Sequence, residues 1–200
     1  RFRKTLTPRR IRNKCRKNMK ELFHKHVLNP IESSEIFHTK FFSEDFAGRL
    51  YELFSNHSEW TTKRFAYSTH EVQLEKFFPD LYSIIKERFD NFIIKTMADV
   101  WVLDEGAEAE DIFVVKYSED TQTKLKTHVD DSYISGSIKL NNNYKGGILT
   151  FPRQRVTNQK TEVGDLLIWP SQITHPHNST LLEEGEKYSI TIWTACKKSS

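Results

Sequence analysis

Histidine and carboxylate side chains in the C-terminal half of the chain have the types and spacing of metal ligands. His128 and Asp130 stand two positions apart at the end of an apolar run, and His175 and His177 form a second pair with the same spacing. Residues i and i+2 of a β-strand point to the same face, so each pair could present its side chains to one point. Two imidazoles and one carboxylate form the facial triad that binds Fe(II) with coordination positions left open. Spacing alone leaves either His175 or His177 as the third ligand.

The alternative without a function for the first pair is a surface histidine beside two acids, Asp130 and Asp131. This alternative would be preferred if the pair were the only motif. Lys187 adds independent information. It opens a predicted apolar strand that contains Tyr188, Ile190 and Ile192, and the turn before this strand is expected to return Lys187 into the barrel. A lysine that points into a protein interior needs an anion. That anion is either a protein carboxylate or the carboxylate of a ligand.

Composition indicates one folded domain. The chain has 200 residues, of which 37% are hydrophobic, and this is enough for a sizeable core. No apolar run approaches the ~20 residues of a membrane helix, so no membrane association is expected. No signal-peptide pattern opens the chain, which favours the cytoplasm, or the host cytoplasm for a viral protein. The chain begins with Arg1 rather than Met, which leaves an upstream segment open. Cys15 and Cys196 form no disulfide or metal-binding pattern and are expected to be reduced.

Basic residues are concentrated at the N-terminus. Ten of the 30 Lys and Arg residues, and no acid, fall within residues 1–20, so the remainder of the chain is acidic. We divide the chain into a basic N-terminal arm with a short helix at 14–27 (residues 1–30) and a catalytic domain (residues 31–200). The arm could contact nucleic acid, although a solvated arm, or one that docks on its own acidic domain, is favoured.

Hydrophobic periodicity predicts helices first and strands afterwards. Asn29-Pro30 predicts a turn, residues 35–41 a strand, and Ser43 the N-cap of a helix. The longest helical pattern covers residues 80–98, and 105–111 reads as an acidic loop. From residue 112 the period changes to about two. The predicted strands are 112–117, 123–128, 133–140, 147–151, 165–169, 173–178 and 187–194, which favours a small β-barrel or jelly roll.

Several of these motifs, in this order, resemble one known family. They are Phe113-Val114-Val115-Lys116-Tyr117, then His128-x-Asp130-x-Ser132, Gly146-Gly147-x-Leu149-x-Phe151, Gly164 to Pro170, and His175-Pro176-His177 followed by Gly185 and Lys187-Tyr188-Ser189. The set resembles the Fe(II)/2-oxoglutarate hydroxylase domain of procollagen lysyl and prolyl hydroxylases and of related phage and giant-virus oxygenases. The resemblance covers residues 35–195 loosely and 112–193 well.

The resemblance implies a fold and a set of site residues. The implied fold is α+β, with a double-stranded β-helix (jelly-roll, cupin-like) core braced by N-terminal helices. Family spacing makes His128, Asp130 and His177 the catalytic iron ligands and His175 a neighbour of the site. Lys187 would bind the distal carboxylate of 2-oxoglutarate, with Ser189 and Tyr117 as further contacts. Close relatives usually have Arg where this chain has Lys187, whereas collagen prolyl hydroxylases also use Lys.

The implied activity is hydroxylation of an unactivated C–H bond, with release of succinate and CO2. The substrate would be a peptidyl proline or lysine, and the cofactors Fe(II), the co-substrate 2-oxoglutarate and O2, with ascorbate as a stimulant. Candidate substrate contacts are Tyr133, Asp131, Arg153, Arg155 and Trp193. The alternatives are a hydroxylase of a free amino acid or small metabolite, an AlkB-like nucleic-acid oxygenase, a non-catalytic cupin-like binding module and a zinc hydrolase.

Overall fold

The computed structural model describes residues 28–31, 34–61, 69–101 and 106–196. The predicted basic arm and the helix predicted at 14–27 lie outside these residues. In chain order the described elements are β1 (Asn29–Pro30), β2 (Phe37–Lys40), α1 (Glu44–Ser55), β3 (His70–Gln73), α2 (Leu74–Phe77), α3 (Pro79–Arg88), a π-helical segment (Phe89–Ile94), α4 (Lys95–Trp101), β4 (Ala107–Tyr117), β5 (Leu125–His128), β6 (Ile134–Lys139), β7 (Tyr144–Gly146), β8 (Leu149–Phe151), β9 (Val156–Thr157), β10 (Asp165–Pro170), β11 (His177–Ser179), β12 (Leu182–Gly185) and β13 (Lys187–Cys196).

Three antiparallel sheets are present in the described part of the chain. The large sheet has the order β1-β2-β10-β6-β13-β4-β3, the small sheet has the order β5-β11-β8-β9, and β12 pairs with β7. Neighbours in the large sheet are distant in sequence, since β13 lies between β4 and β6. This arrangement of antiparallel strands with few helices is the jelly-roll architecture predicted from the change of period at residue 112.

The helices cover one face of the large sheet. Helix α1 begins as predicted at Ser43, whose side-chain oxygen accepts a hydrogen bond from the backbone N–H of Phe46 at 3.2 Å. The main core lies between the helices and the sheet, and Leu50, Phe54 and Phe89 from the helical side pack there against strand residues. The opposite face of the large sheet is left for a site. None of the described helices is both long and apolar enough to span a membrane.

The predicted helix at 80–98 is interrupted by the π-helical segment. Its buried side chains Ile85, Phe89, Ile93 and Met97 are spaced by four residues. An α-helix has 3.6 residues per turn, so this spacing would rotate the apolar stripe away from the sheet. The wider π turn absorbs that rotation and keeps the four side chains on the core side.

The prediction of an acidic loop at 105–111 was wrong, because strand β4 already begins at Ala107. Its inward positions, Ala107 and Ala109, are small and buried, whereas Glu108 and Glu110 are more exposed. Lys86 pairs with Glu108 at 3.2 Å, which compensates one of these acids. The alternation was present in the sequence, but alanine is too weakly apolar to reveal it beside four acidic residues.

Other boundaries also differ from the predictions. Asn29-Pro30 is not a turn but the short strand β1, paired with Phe37 and His38. Strands β7, β9 and β12 were not predicted. The strand predicted at 173–178 begins only at His177, after a turn that contains Gln172 at a φ of 57°.

Candidate active site

Strand register arranges the inner face of the large sheet in rows. The first row contains Trp169, Ser135 and Trp193, which are opposite one another on β10, β6 and β13. Ser137 pairs with Thr191 in the second row, and Lys139 with Ser189 in the third. Lys187 stands two residues further along β13, opposite Tyr117 of β4. The inward-facing side chains therefore change along the barrel from aromatic and hydroxyl groups to lysines.

His128 and His177 face each other across the small sheet. They are direct partners in the register of β5 and β11, and their ring centroids are 4.4 Å apart. Phe151 and Trp169 enclose His177 with ring centroids at 5.5 and 5.1 Å. His177 is thus buried beside aromatic rings, whereas the side chain of His128 keeps 13% of its surface exposed.

Backbone carbonyls orient both imidazoles. His128 Nδ1 lies 2.8 Å from the carbonyl oxygen of Lys126, and His177 Nδ1 lies 3.1 Å from that of His175. A carbonyl can only accept, so each Nδ1 carries the proton and each Nε2 is left with a lone pair. Such a bond on the remote nitrogen is the usual support of a metal-binding histidine.

Asp130 completes the cluster. One ligand atom from each of His128, Asp130 and His177 lies within 4.8 Å of the others. Nε2 of His128 is 3.5 Å from Oδ1 of Asp130, and Nε2 of His177 is 3.6 Å from Oδ2. Asp130 follows β5 rather than lying in it, so the argument from i and i+2 in a strand does not apply. A hydroxyl relay positions it instead, since Ser135 donates to Oδ2 at 2.6 Å and Ser171 donates to Ser135 at 2.6 Å.

The charge states of these residues suit a divalent cation. Burial opposes the charge of Asp130, but its contacts with the imidazoles of His128 and His177 and the hydrogen bond from Ser135 together hold the pKa of Asp130 below its ordinary value. Burial lowers the pKa of His177 despite the nearby Asp130 carboxylate. At neutral pH the carboxylate is therefore charged and His177 is neutral, the protonation states in which both bind metal.

His175 does not join the cluster. Its Nε2 is 2.9 Å from the carbonyl oxygen of Ser34, and its Nδ1 is 2.9 Å from the hydroxyl of Thr174. Both ring nitrogens are therefore engaged, one of them with the segment that precedes β2. Because His175 lies outside strand β11, it does not share a face with His177. Its backbone carbonyl nevertheless holds the His177 ring.

Lys187 is buried at the other end of the pocket, with 6% of its surface exposed. Its Nζ donates to the carbonyl of Gly147 at 2.5 Å and lies 3.4 Å from the hydroxyl of Ser179 and 4.8 Å from the centroid of the Tyr117 ring. Burial, with a smaller effect of Lys139, lowers the pKa of Lys187 to about 7. No carboxylate of the described residues lies within 4.0 Å of it, so the alternative of a protein counter-ion finds no support in this part of the chain.

One pocket joins these groups. Tyr117 and Ser189, the other predicted co-substrate contacts, line it near Lys187. Burial raises the pKa of Tyr117, so its hydroxyl stays protonated as a hydrogen-bond donor. Apolar walls between the two ends are formed by Phe113, Leu125 and Leu149. The pocket therefore has a metal-binding end and a cationic end, separated by apolar side chains.

The predicted substrate contacts are divided between the pocket and the surface. Trp193 lines the pocket. Tyr133 is 45% exposed, and Asp131, Arg153 and Arg155 are exposed. Sequence reasoning missed Ser135, Ser171 and Ser179, which orient Asp130 and contact Lys187. Of these, Ser135 could have been found, because it shares a strand face with Ser137 in the predicted strand 133–140.

Comparison with known proteins agrees with this geometry. Residues 112–195 match the family model of the 2OG-Fe(II) oxygenase superfamily. A multifunctional procollagen lysine hydroxylase and glycosyltransferase of Caenorhabditis elegans is 33% identical over 87 residues, and human procollagen-lysine,2-oxoglutarate 5-dioxygenase 2 is 33% identical over 79. These stretches cover 42% and 38% of this chain but only 12% and 11% of the two relatives.

Solved structures with the same fold are more distant in sequence. A Pseudomonas putida prolyl-4-hydroxylase superposes with a TM-score of 0.62 at 15% identity, covering 83% of this chain and 95% of that one. The viral collagen prolyl hydroxylase of Paramecium Bursaria Chlorella virus-1 superposes with a TM-score of 0.60 at 13% identity, covering 83% and 98%. The predicted jelly-roll fold is confirmed. Together, the family match and the His-Asp-His cluster confirm the resemblance of residues 112–195 to the 2OG-Fe(II) oxygenase superfamily.

Proposed function

We propose that this chain is an Fe(II)- and 2-oxoglutarate-dependent dioxygenase that hydroxylates a C–H bond of a peptidyl proline or lysine, with release of succinate and CO2. The observation that carries the proposal is the pairing of two ends in one pocket. The His128, Asp130 and His177 ligand atoms converge at one end, and the buried Lys187 has no carboxylate partner among the described residues at the other. A 2-oxo acid with a distal carboxylate complements both ends.

Each group of the pocket has a defined task in this proposal. His128, Asp130 and His177 hold Fe(II), which supplies the activation of O2 when bound. Lys187 neutralises the distal carboxylate of 2-oxoglutarate, and the hydroxyls of Tyr117 and Ser189 donate hydrogen bonds beside it. The apolar walls exclude water, which strengthens these electrostatic contacts. Fixed imidazole and carboxylate orientations maintain the open face of the metal site.

The surface around the metal end supports a peptide substrate over a free amino acid. Val129, Tyr133 and Ile173 are 42%, 45% and 84% exposed. Hydrogen bonds from Gln172 N–H to the Asp130 carbonyl and from Ser171 N–H to the Tyr133 carbonyl bring their segments together beside the site. An exposed apolar rim suits a chain that lies across the opening. The two relatives named as procollagen lysine hydroxylases support the same choice.

Succinate formation tests the proposal directly. The purified chain is supplied with Fe(II), 2-oxoglutarate, O2 and ascorbate, and is offered collagen-like peptides, free amino acids or single-stranded nucleic acid. We expect substrate-stimulated succinate and a mass gain of one oxygen on a peptide. Stimulation by free lysine or proline alone would favour the small-molecule alternative, and stimulation by nucleic acid alone would contradict the peptide assignment.

Two histidine variants test the ligand assignment. His177→Ala should abolish turnover, because it removes a metal ligand. His175→Ala should only weaken turnover, because its carbonyl and not its ring supports the site. Iron content after anaerobic loading gives a second readout. Equal loss of iron from both variants would contradict the choice of His177 over His175.

A further inference from the structure

We propose that Lys139 is a second cation of the co-substrate site, which acts with Lys187 on the distal carboxylate of 2-oxoglutarate. The inference rests on the function proposed above and adds a residue to it. No sequence motif pointed to Lys139.

Register places Lys139 on the pocket face of the large sheet. Ser135, Ser137 and Lys139 alternate along β6 and therefore point to one face. Ser135 bonds to Asp130, and Ser137 lines the pocket. Lys139 pairs with Ser189, and Lys187 is two residues from Ser189 on the same strand. Such diagonal neighbours are roughly 7–8 Å apart at the backbone, which long side chains bridge.

A second cavity connects the two lysines. It is lined by both Lys139 and Lys187. Four of its lining residues also line the larger pocket. They are Ser137, Leu149, Lys187 and Ser189. Lys139 and Lys187 therefore both line a small cavity that adjoins the larger pocket.

The acidic side chain near Lys139 already has other partners. The acid that acts on Lys139 is Asp165, which lines the same cavity but pairs with Lys40 at 2.7 Å and accepts a hydrogen bond from the Glu162 N–H at 2.8 Å. Lys139 itself donates to the carbonyl of Thr161 at 2.9 Å. Among the described residues no carboxylate lies within 4.0 Å of either Lys139 or Lys187. Two partly or fully buried lysines thus line one cavity, and the carboxylate that also lines it, Asp165, is paired with Lys40.

A pair of lysines also accounts for the absence of arginine at position 187. Arginine holds both oxygens of a carboxylate through its planar fork, whereas lysine acts as a point charge. Amines from two neighbouring strands can contact the two oxygens separately. Lys139 thereby provides the second point of contact that a single lysine lacks.

Calorimetric titration of the Mn(II)-loaded chain tests the role of Lys139. The probes are 2-oxoglutarate and 2-oxopentanoate, which has the same five carbons with a methyl group in place of the distal carboxylate. Lys139→Gln should weaken 2-oxoglutarate binding about tenfold, as expected for the loss of one charge-assisted contact. The affinity of the same variant for 2-oxopentanoate should differ from that of the wild-type chain by less than twofold. Lys139→Arg should restore most of the 2-oxoglutarate affinity.

Matched controls separate this role from a structural one. Lys145→Gln removes an exposed lysine that pairs with Glu184, and should leave both affinities unchanged. Equal weakening of both oxo acids by Lys139→Gln would show a structural effect and overturn the inference, as would unchanged 2-oxoglutarate binding. Failure of the wild-type chain to bind 2-oxoglutarate would instead overturn the proposed function, so the two failures are distinguishable.

Discussion

At the scale of single residues, Asp130 depends on a hydroxyl that lies outside the His-x-Asp motif. Ser135→Ala removes the 2.6 Å hydrogen bond to Oδ2 and leaves a buried carboxylate less well held. We expect metal affinity to fall by roughly 10–100-fold, as is typical when the support of a ligand is lost. Mn(II) titration followed by electron paramagnetic resonance, without 2-oxoglutarate, measures the change.

Ser137→Ala is the matched control for that prediction. Ser137 lies on the same face of β6 and lines the pocket, but it makes no hydrogen bond to Asp130. Its replacement should leave Mn(II) affinity within about twofold. A comparable loss in both variants would mean that the effect arises from packing of the strand and not from the bond to Asp130.

The buried amine of Lys187 should make stability depend on pH. Its pKa is about 7 in the folded chain, against ~10.4 in an unfolded one. Between these values the unfolded state binds more protons, so the free energy of unfolding rises with pH from about 7 to 10. Urea unfolding of the metal-free chain at pH 7 and pH 9.5 measures this. The rise should be smaller in Lys187→Met, and an identical rise would show that other groups cause it.

The candidate ligands could be named from the sequence, because histidine and carboxylate side chains are chemically distinctive. The choice of His177 came only from the family resemblance, since spacing treats His175 and His177 alike. The structure distinguishes them by a contact with Ser34, which is 141 positions away in sequence. Ser171 and Ser179 were not predictable, because serine is common and only the fold brings these hydroxyls to Asp130 and Lys187.

At the scale of elements, Gly164 joins three segments that build the site. Its carbonyl accepts hydrogen bonds from Phe41 and Phe42, and its N–H donates to Lys139. Its φ is +86°, and an added Cβ would lie 2.3 Å from the Phe42 carbonyl oxygen. Gly164→Ala should therefore destabilise the chain by about 2–4 kcal/mol, through strain and the clash with backbone. Thermal or urea unfolding measures the loss.

Gly48 provides the opposite case within the same fold. It lies in α1, where an added Cβ would meet nothing within 4 Å. Gly48→Ala should stabilise the chain by about 0.5–1 kcal/mol, since alanine is the better helix former. Destabilisation by both alanines would contradict the assignment of strain to Gly164.

Element types were more predictable than element ends. The strands after residue 112 were found because branched and aromatic residues alternate there. The first five residues of β4 were missed because their inward side chains are alanines. The π-helical segment was also not predicted, since a stripe with four-residue spacing still resembles an α-helix over 19 residues.

At the scale of the whole molecule, the order of helices before strands was enough to predict helices that pack beside a small β-barrel or jelly roll. It did not predict which strands would be neighbours, because pairing in this fold joins distant segments. Strand β13 lies between β4 and β6, so the last strand of the described chain completes the centre of the sheet. The cationic end, which Lys187 of this strand provides, therefore forms only when this last strand is in place.

Strand register also limits how the pocket can select for the length of its co-substrate. Successive inward positions on β6 and β13 are roughly 6.6–6.8 Å apart. A shift of one residue in strand register would turn Lys139 or Lys187 to the opposite face of the sheet. A shift of two residues would move the lysine by more than the length of the co-substrate's carbon chain. Acids that differ by a single methylene can be distinguished only by the reach of the side chains at positions 139 and 187. Exchange of lysine for arginine at either position is the small step by which such a sheet could adapt to a shorter or longer acid.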